Sequence, residues 1–122
     1  MDGKEPLVRH RDQTTPLDCP YGNVQRIVTG GAGGVANVHV VKVTKGTTHV
    51  HTGYDEVYYV LSGTGTITLG EDVYPLRPGS VAVIPAGVPH SLEAHPGEEL
   101  EFIIFGTPPM AMDDERAKPR KV

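Results

Sequence analysis

The chain has 122 residues, a net charge of −4 and 21% charged side chains, so it offers no basic surface to attract nucleic acid or an anionic membrane. Its length is typical of one domain with its own core, and no apolar run approaches the ~20 residues of a membrane span. The N-terminus lacks the apolar core of a signal peptide, and the single Cys19 excludes an intrachain disulfide framework. We therefore expect a soluble, cytoplasmic protein.

Fifteen glycines and eleven prolines divide the chain into short apolar runs, which is typical of strands joined by tight turns. Residues 1–23 contain three prolines and are predicted to form an irregular arm. Strands are predicted, in chain order, at 23–29, 35–44, 57–62, 66–69, 81–84 and 99–105. The tail from Thr107 is predicted to be a solvated extension. No segment has a convincing helical period, and short strands with frequent turns favour a closed double-sheet jelly roll.

The strongest indication of chemistry is a set of four candidate metal ligands: His49, His51, Glu56 and His90. Residues i and i+2 of a strand point to the same face, so His49 and His51 can aim at one point roughly 2 Å from each ring nitrogen. Glu56 lies at an odd offset from His51 and can join them only if the chain bends, which Gly53 permits. Three imidazoles and one carboxylate suit a divalent transition metal: iron, manganese, nickel, copper or zinc.

Two longer motifs contain these residues. From His49 to Gly63 the chain reads HxH, four residues, Glu, six residues and Gly; from Gly79 to His90 it reads G-x5-P-x-G-x2-H. Both motifs resemble those of the cupin family. The resemblance implies an all-β cupin barrel, a double-stranded β-helix jelly roll, over residues 24–106, between the arm (1–23) and the tail (107–122).

The cupin resemblance also implies a function for the four residues and an assembly. It implies that His49, His51, Glu56 and His90 are metal ligands, with iron or manganese favoured because cupins with this ligand set often use them. The proline-broken arm resembles that of cupins that exchange strands between subunits, which implies a homodimer.

Tyr58 and His39 are tentative catalytic residues. If Glu56 points into the barrel, strand parity sends Tyr58 and Val60 the same way, where Tyr58 could be a hydrogen-bond donor, an acid or an aromatic that only fills space. His39 is the best candidate for an extra base, but its face is not fixed by the sequence, and a lone strand histidine is more often structural. One of Phe102 and Phe105 is expected to pack inside.

Three functions fit this set of residues, all of them with a small molecule as ligand. Three imidazoles and one carboxylate leave two of six coordination positions open, which permits a dioxygenase-like reaction on a compact organic molecule. The same metal can act as a Lewis acid in an isomerase, epimerase or lyase acting on a sugar or other carbonyl compound. A binding barrel without turnover is the third. Because no clear acid–base pair is evident beside the metal, the sequence ranks oxygen chemistry first.

Overall fold

The computed structural model describes residues 6–19, 22–32, 34–111, 115 and 118–121. Within these residues the chain forms β-strands and two short 3-10 helices, η1 (Arg11–Gln13) and η2 (Gly30–Ala32). The strands are β1 (Leu17–Cys19), β2 (Gly22–Val28), β3 (Asn37–Val43), β4 (His49–Val50), β5 (Asp55–Ser62), β6 (Gly65–Leu69), β7 (Asp72–Leu76), β8 (Val81–Ile84), β9 (His90–Ala94), β10 (Leu100–Thr107) and β11 (Arg120–Lys121). None of the helices in this described part is long and apolar enough to cross a membrane.

The strands form two antiparallel sheets. The larger sheet has the order β1-β2-β3-β10-β5-β8, and the smaller has the order β11-β4-β9-β6-β7. Strands that are distant in sequence are neighbours in space, as β3, β10 and β5 show, and this is the topology of a jelly roll. The structure therefore confirms the predicted all-β double-sheet fold. The boundaries of arm, barrel and tail stay predictions, as does the cytoplasmic location.

Alternation along the strands separates the interior of the barrel from its surface. On β5, Glu56, Tyr58 and Val60 are buried while Tyr59 is exposed, which is the parity predicted from the sequence. On β10, Phe102 is 2% exposed and Phe105 is 40% exposed, so Phe102 is the phenylalanine that packs inside. Complete burial of one such apolar side chain contributes about 1.5–3 kcal/mol to folding.

The N-terminal arm differs in part from the prediction, because it contains a strand. β1 pairs with β2 of the same chain, with Leu17 opposite Val24. The guanidinium of Arg11 donates to Gln25 Oε1 at 2.8 Å and lies 3.3 Å from Glu101 Oε2, so the arm is held against the larger sheet. Exchange of the arm between subunits stays a prediction.

The tail also differs from the solvated extension predicted from Thr107 onward. Met110 is only 4% exposed and packs against Tyr54, and its backbone N–H donates to Asn37 Oδ1 at 3.2 Å. Further along, β11 pairs with β4, with Arg120 opposite Val50. Met110 begins an apolar run of only three residues between two prolines and a charged cluster, which is too short for the sequence to predict its burial. Asp113, Asp114 and Arg116 of the polar cluster lie outside the described residues.

Candidate metal centre

His49, His51 and His90 converge in the interior of the barrel. His49 lies on β4 directly opposite His90, the first residue of β9, and His51 follows β4 by one residue. One ring nitrogen of each of the three lies within 4.8 Å of those of the other two, and the three side chains are 4%, 5% and 1% exposed. Three buried imidazoles at this separation are positioned to bind one metal ion.

Glu56 joins this cluster from the larger sheet. β4 ends at Val50 and β5 begins at Asp55, so the chain bends between them and returns Glu56 to the interior. Glu56 Oε1 lies 3.4 Å from His51 Nε2 and 3.4 Å from His90 Nε2, and the side chain is 4% exposed. The structure therefore brings together all four residues that the sequence singles out, with one carboxylate oxygen facing two imidazole nitrogens.

The outer nitrogens of the histidines contact oxygen atoms that orient the rings. His49 Nδ1 donates to the carbonyl of Thr47 at 3.1 Å, and His90 Nδ1 donates to the carbonyl of Val88 at 2.9 Å. Since a carbonyl can only accept, these contacts place the ring proton on Nδ1 and leave Nε2 with the lone pair that a metal needs. His51 Nδ1 has an equivalent oxygen neighbour, the hydroxyl of Tyr54 at 2.8 Å.

The protonation states suit a cation. Burial, reinforced by the charge of His90, lowers the pKa of His49 to about 4, and burial also lowers the pKa of His51. For Glu56, burial by itself raises the pKa, but the neighbouring rings of His90 and His51 and the hydrogen bond from Tyr58 outweigh it and lower the pKa. At neutral pH His49 and His51 are therefore neutral and Glu56 is ionised, the forms that ligate a divalent metal without first losing a proton.

Tyr58 and His39 both lie on the inward face of the larger sheet. The Tyr58 hydroxyl donates to Glu56 Oε1 at 3.1 Å, and its ring lies 4.8 Å from that of Phe102. His39, on β3, is 9% exposed and lies opposite Ile104 of β10, which in turn lies opposite Tyr58. The structure thus settles the face of His39, which the sequence leaves open, while the catalytic roles of both residues stay predictions.

Tyr54, in the bend between β4 and β5, contacts His51, and strand periodicity does not predict this contact. It is 9% exposed, and its ring lies 4.7 Å from the ring of His51. A Cβ at Gly106 would lie 3.2 Å from Tyr54 Cδ2, so the bare glycine makes room for this ring. Asp55, the carboxylate next to Glu56 in the sequence, is exposed and accepts a hydrogen bond from the backbone N–H of Ala86. Strand parity could not find Tyr54, because it lies in the bend.

Comparison with known proteins identifies the family. The sequence model of the cupin domain matches residues 37–106. The chain is 42% identical over 55 residues to an uncharacterized protein of Streptomyces coelicolor, which covers 45% of this chain and 51% of that protein, so the match spans about half of that relative's length. It is 32% identical over 96 residues to the L-ectoine synthase of Nocardia farcinica, with 72% of this chain and 73% of that protein covered.

A solved structure agrees with these matches. The crystal structure of a protein from Planctomyces limnophilus superposes with a TM-score of 0.80 at 30% identity, over 90% of this chain and 95% of the other. The domain match covers the strands that carry all four residues of the centre, from β3 to most of β10. This chain belongs to the cupin family.

Proposed function

We propose that this cupin is a metal-dependent enzyme that acts on a small carbonyl compound by Lewis-acid chemistry, as a lyase, isomerase or cyclising synthase does. Its metal is a divalent transition ion held by His49, His51, His90 and Glu56, with iron or manganese favoured over nickel, copper or zinc. The observation that carries the proposal is the convergence of three buried imidazoles and one buried carboxylate inside the barrel.

The bound ion would polarise a carbonyl oxygen of the substrate. The protein's own groups would position the substrate and move protons. The Tyr58 hydroxyl holds Glu56 Oε1 toward His51 and His90, so the carboxylate cannot swing away from the cluster. Burial lowers the pKa of His39 to about 4, so its ring is neutral and can hydrogen-bond to a polar group of the substrate. The buried walls of the barrel exclude bulk water and strengthen these interactions.

Two observations favour Lewis-acid chemistry over the oxygen chemistry that the sequence ranks first. The sequence offers no clear acid–base pair, whereas the Tyr58 hydroxyl, a proton donor, contacts Glu56 Oε1 at 3.1 Å. The Nocardia farcinica relative is, by its name, a synthase. An oxygenase is the second candidate, because four protein ligands leave two of the six positions of an octahedral ion for substrate and oxygen.

The first test measures metal content and proton exchange together. Protein purified without chelator is analysed by mass spectrometry for metals and then incubated without oxygen in D2O with a panel of small 2-oxo acids and sugars. Near one metal per chain and deuterium incorporation by NMR are expected, with both lost in His51→Ala and both kept in His10→Ala. Oxygen consumption without exchange would favour the oxygenase. A chain that binds no metal even after reconstitution would overturn the proposal.

A further inference from the structure

Arg26 and His39 lie side by side on the inward face of the larger sheet. They are directly opposite each other across β2 and β3, and residues opposite each other in an antiparallel pair share a face. The same register continues through Ile104 of β10 to Tyr58 of β5. One row of residues therefore leads from the exposed Arg26 to Tyr58, whose hydroxyl donates to Glu56.

His39 is a buried polar side chain with an unpaired ring nitrogen. It is only 9% exposed, and its Nδ1 has no hydrogen-bond partner among the described residues. Buried polar atoms are nearly always paired, so Nδ1 of His39 marks a place where a water molecule or a ligand group can bind. Burial and the neighbouring charge of Arg26 lower the pKa of His39, so the ring is neutral and can either donate or accept.

Arg26 places a positive charge next to the neutral ring of His39. Its side chain is exposed, and the ion pairs found among the described residues do not include it, whereas Arg11 and Lys42 share Glu101. A guanidinium presents a planar fork of donors that matches a carboxylate in a bidentate contact. A free guanidinium beside an unpaired buried imidazole is a combination that would bind an anionic, oxygen-rich group.

Arg26 and His39 lie at a distance from the candidate metal ligands that can be estimated from the separation between strands. Neighbouring strands lie about 4.8 Å apart, so the backbone of His39 is about 10 Å from that of Tyr58, and Arg26 is one strand further away. We propose that Arg26 and His39 form the subsite for the carboxylate end of a substrate whose reacting end lies at His49, His51 and His90. This inference rests on the proposed function and narrows it to small acids with a carboxylate several bonds from the reacting carbonyl.

Calorimetry with two probes tests the subsite without requiring turnover. 2-Oxoglutarate and 2-oxopentanoate share the 2-oxo acid end and differ in a distal carboxylate, which only the first has. Protein reconstituted with manganese(II) is expected to bind 2-oxoglutarate at least about tenfold more tightly. Arg26→Gln should remove this preference without weakening 2-oxopentanoate. Arg77→Gln, which changes an exposed arginine elsewhere, should leave both affinities unchanged.

His39 is tested with a matched pair of variants. His39→Gln keeps hydrogen-bonding capacity and should retain more of the preference than His39→Phe, which has none; if either fails to fold, Arg26→Gln still decides. Equal binding of the two probes by the metal-loaded wild type, or a preference that survives Arg26→Gln, would overturn the subsite alone. Failure to load manganese would instead count against the proposed function, so the two failures are distinguishable.

Discussion

The hydroxyl of Tyr54 lies 2.8 Å from Nδ1 of His51, so two residues of one bend form a contact that orients a candidate ligand. His49 and His90 obtain the same support from backbone carbonyls, which a substitution cannot remove. Of these three contacts, the one to His51 is made by a side chain, and the other two are made by the backbone. It therefore offers a direct way to alter the centre without touching a ligand.

Tyr54→Phe should weaken metal binding without abolishing it. The ring still fills its place, but His51 loses the oxygen that orients it, and loss of such an outer contact typically costs 10–100-fold in metal affinity, here about tenfold because one of three is removed. Competition with a chelator of known affinity measures the change. Tyr74→Phe, at an exposed tyrosine, is the control and should bind as the wild type does. Unchanged affinity in Tyr54→Phe would show that the contact does not support the site.

His51→Ala should empty the centre, because it removes one of three converging imidazoles. His10→Ala should keep full occupancy, since His10 is exposed and accepts a hydrogen bond from the backbone of Asp12 outside the barrel. Metal content per chain, determined by mass spectrometry on both variants after identical purification, checks this. Equal occupancy in the two proteins would rule out the assignment of ligands.

Stability of the metal-free protein should fall as the pH is lowered from about 6.5 to about 4. His39 and His49 have an ordinary pKa of 6.5 and a pKa of about 4 in the fold, in both cases chiefly because of burial. In this window the unfolded chain binds protons that the folded chain does not, so acid favours unfolding. Urea titrations at several pH values, followed by circular dichroism, measure the slope.

The variant His39→Gln isolates one of these protons. Its stability should depend on pH less steeply, by about one proton across the same window, because glutamine does not titrate. A slope identical to that of the wild type would mean that His39 is not buried as a neutral ring.

Deletion of residues 1–20 should lower the melting temperature by several degrees and convert the predicted homodimer to a monomer. The deletion removes β1 and the contacts of Arg11 with Gln25 and Glu101, and it uncovers the edge of β2. Light scattering and thermal melts test both effects. Arg11→Gln, which removes only the side-chain contacts, should melt lower but stay dimeric. A truncated chain that remains dimeric with unchanged melting would contradict the role given to the arm.

The parts of the site that could be predicted from sequence are those governed by strand periodicity. A period of two places His49 beside His51 and sends Glu56, Tyr58 and Val60 to one face, and the structure agrees. The glycine and proline punctuation locates most strands to within two residues. Five described strands are not among the six predicted ones: β1, β4, β7, β9 and β11. In β7 (Asp72–Leu76) only Leu76 is buried, so this strand has no buried face that alternation could mark.

The remaining features depend on contacts between distant segments, which periodicity cannot supply. The face of His39 is ambiguous because both Val40 and Val41 beside it are buried, so β3 has no simple alternation. Tyr54 reaches His51 from a bend, and Met110 reaches Tyr54 from the tail. None of these three placements follows from local sequence, because each is set by register or loop shape in the folded barrel.

Gly106 contributes no atom to the cluster of histidines, yet it leaves room for a residue that contacts one of them. A Cβ at this position would lie 3.2 Å from Cδ2 and 3.4 Å from Cε2 of Tyr54. Alanine here would therefore crowd the tyrosine ring, whose hydroxyl contacts His51. The space for Tyr54 thus depends on β10, a strand without any of the four candidate ligands, and a design that transfers only those four residues to another barrel would leave this space behind.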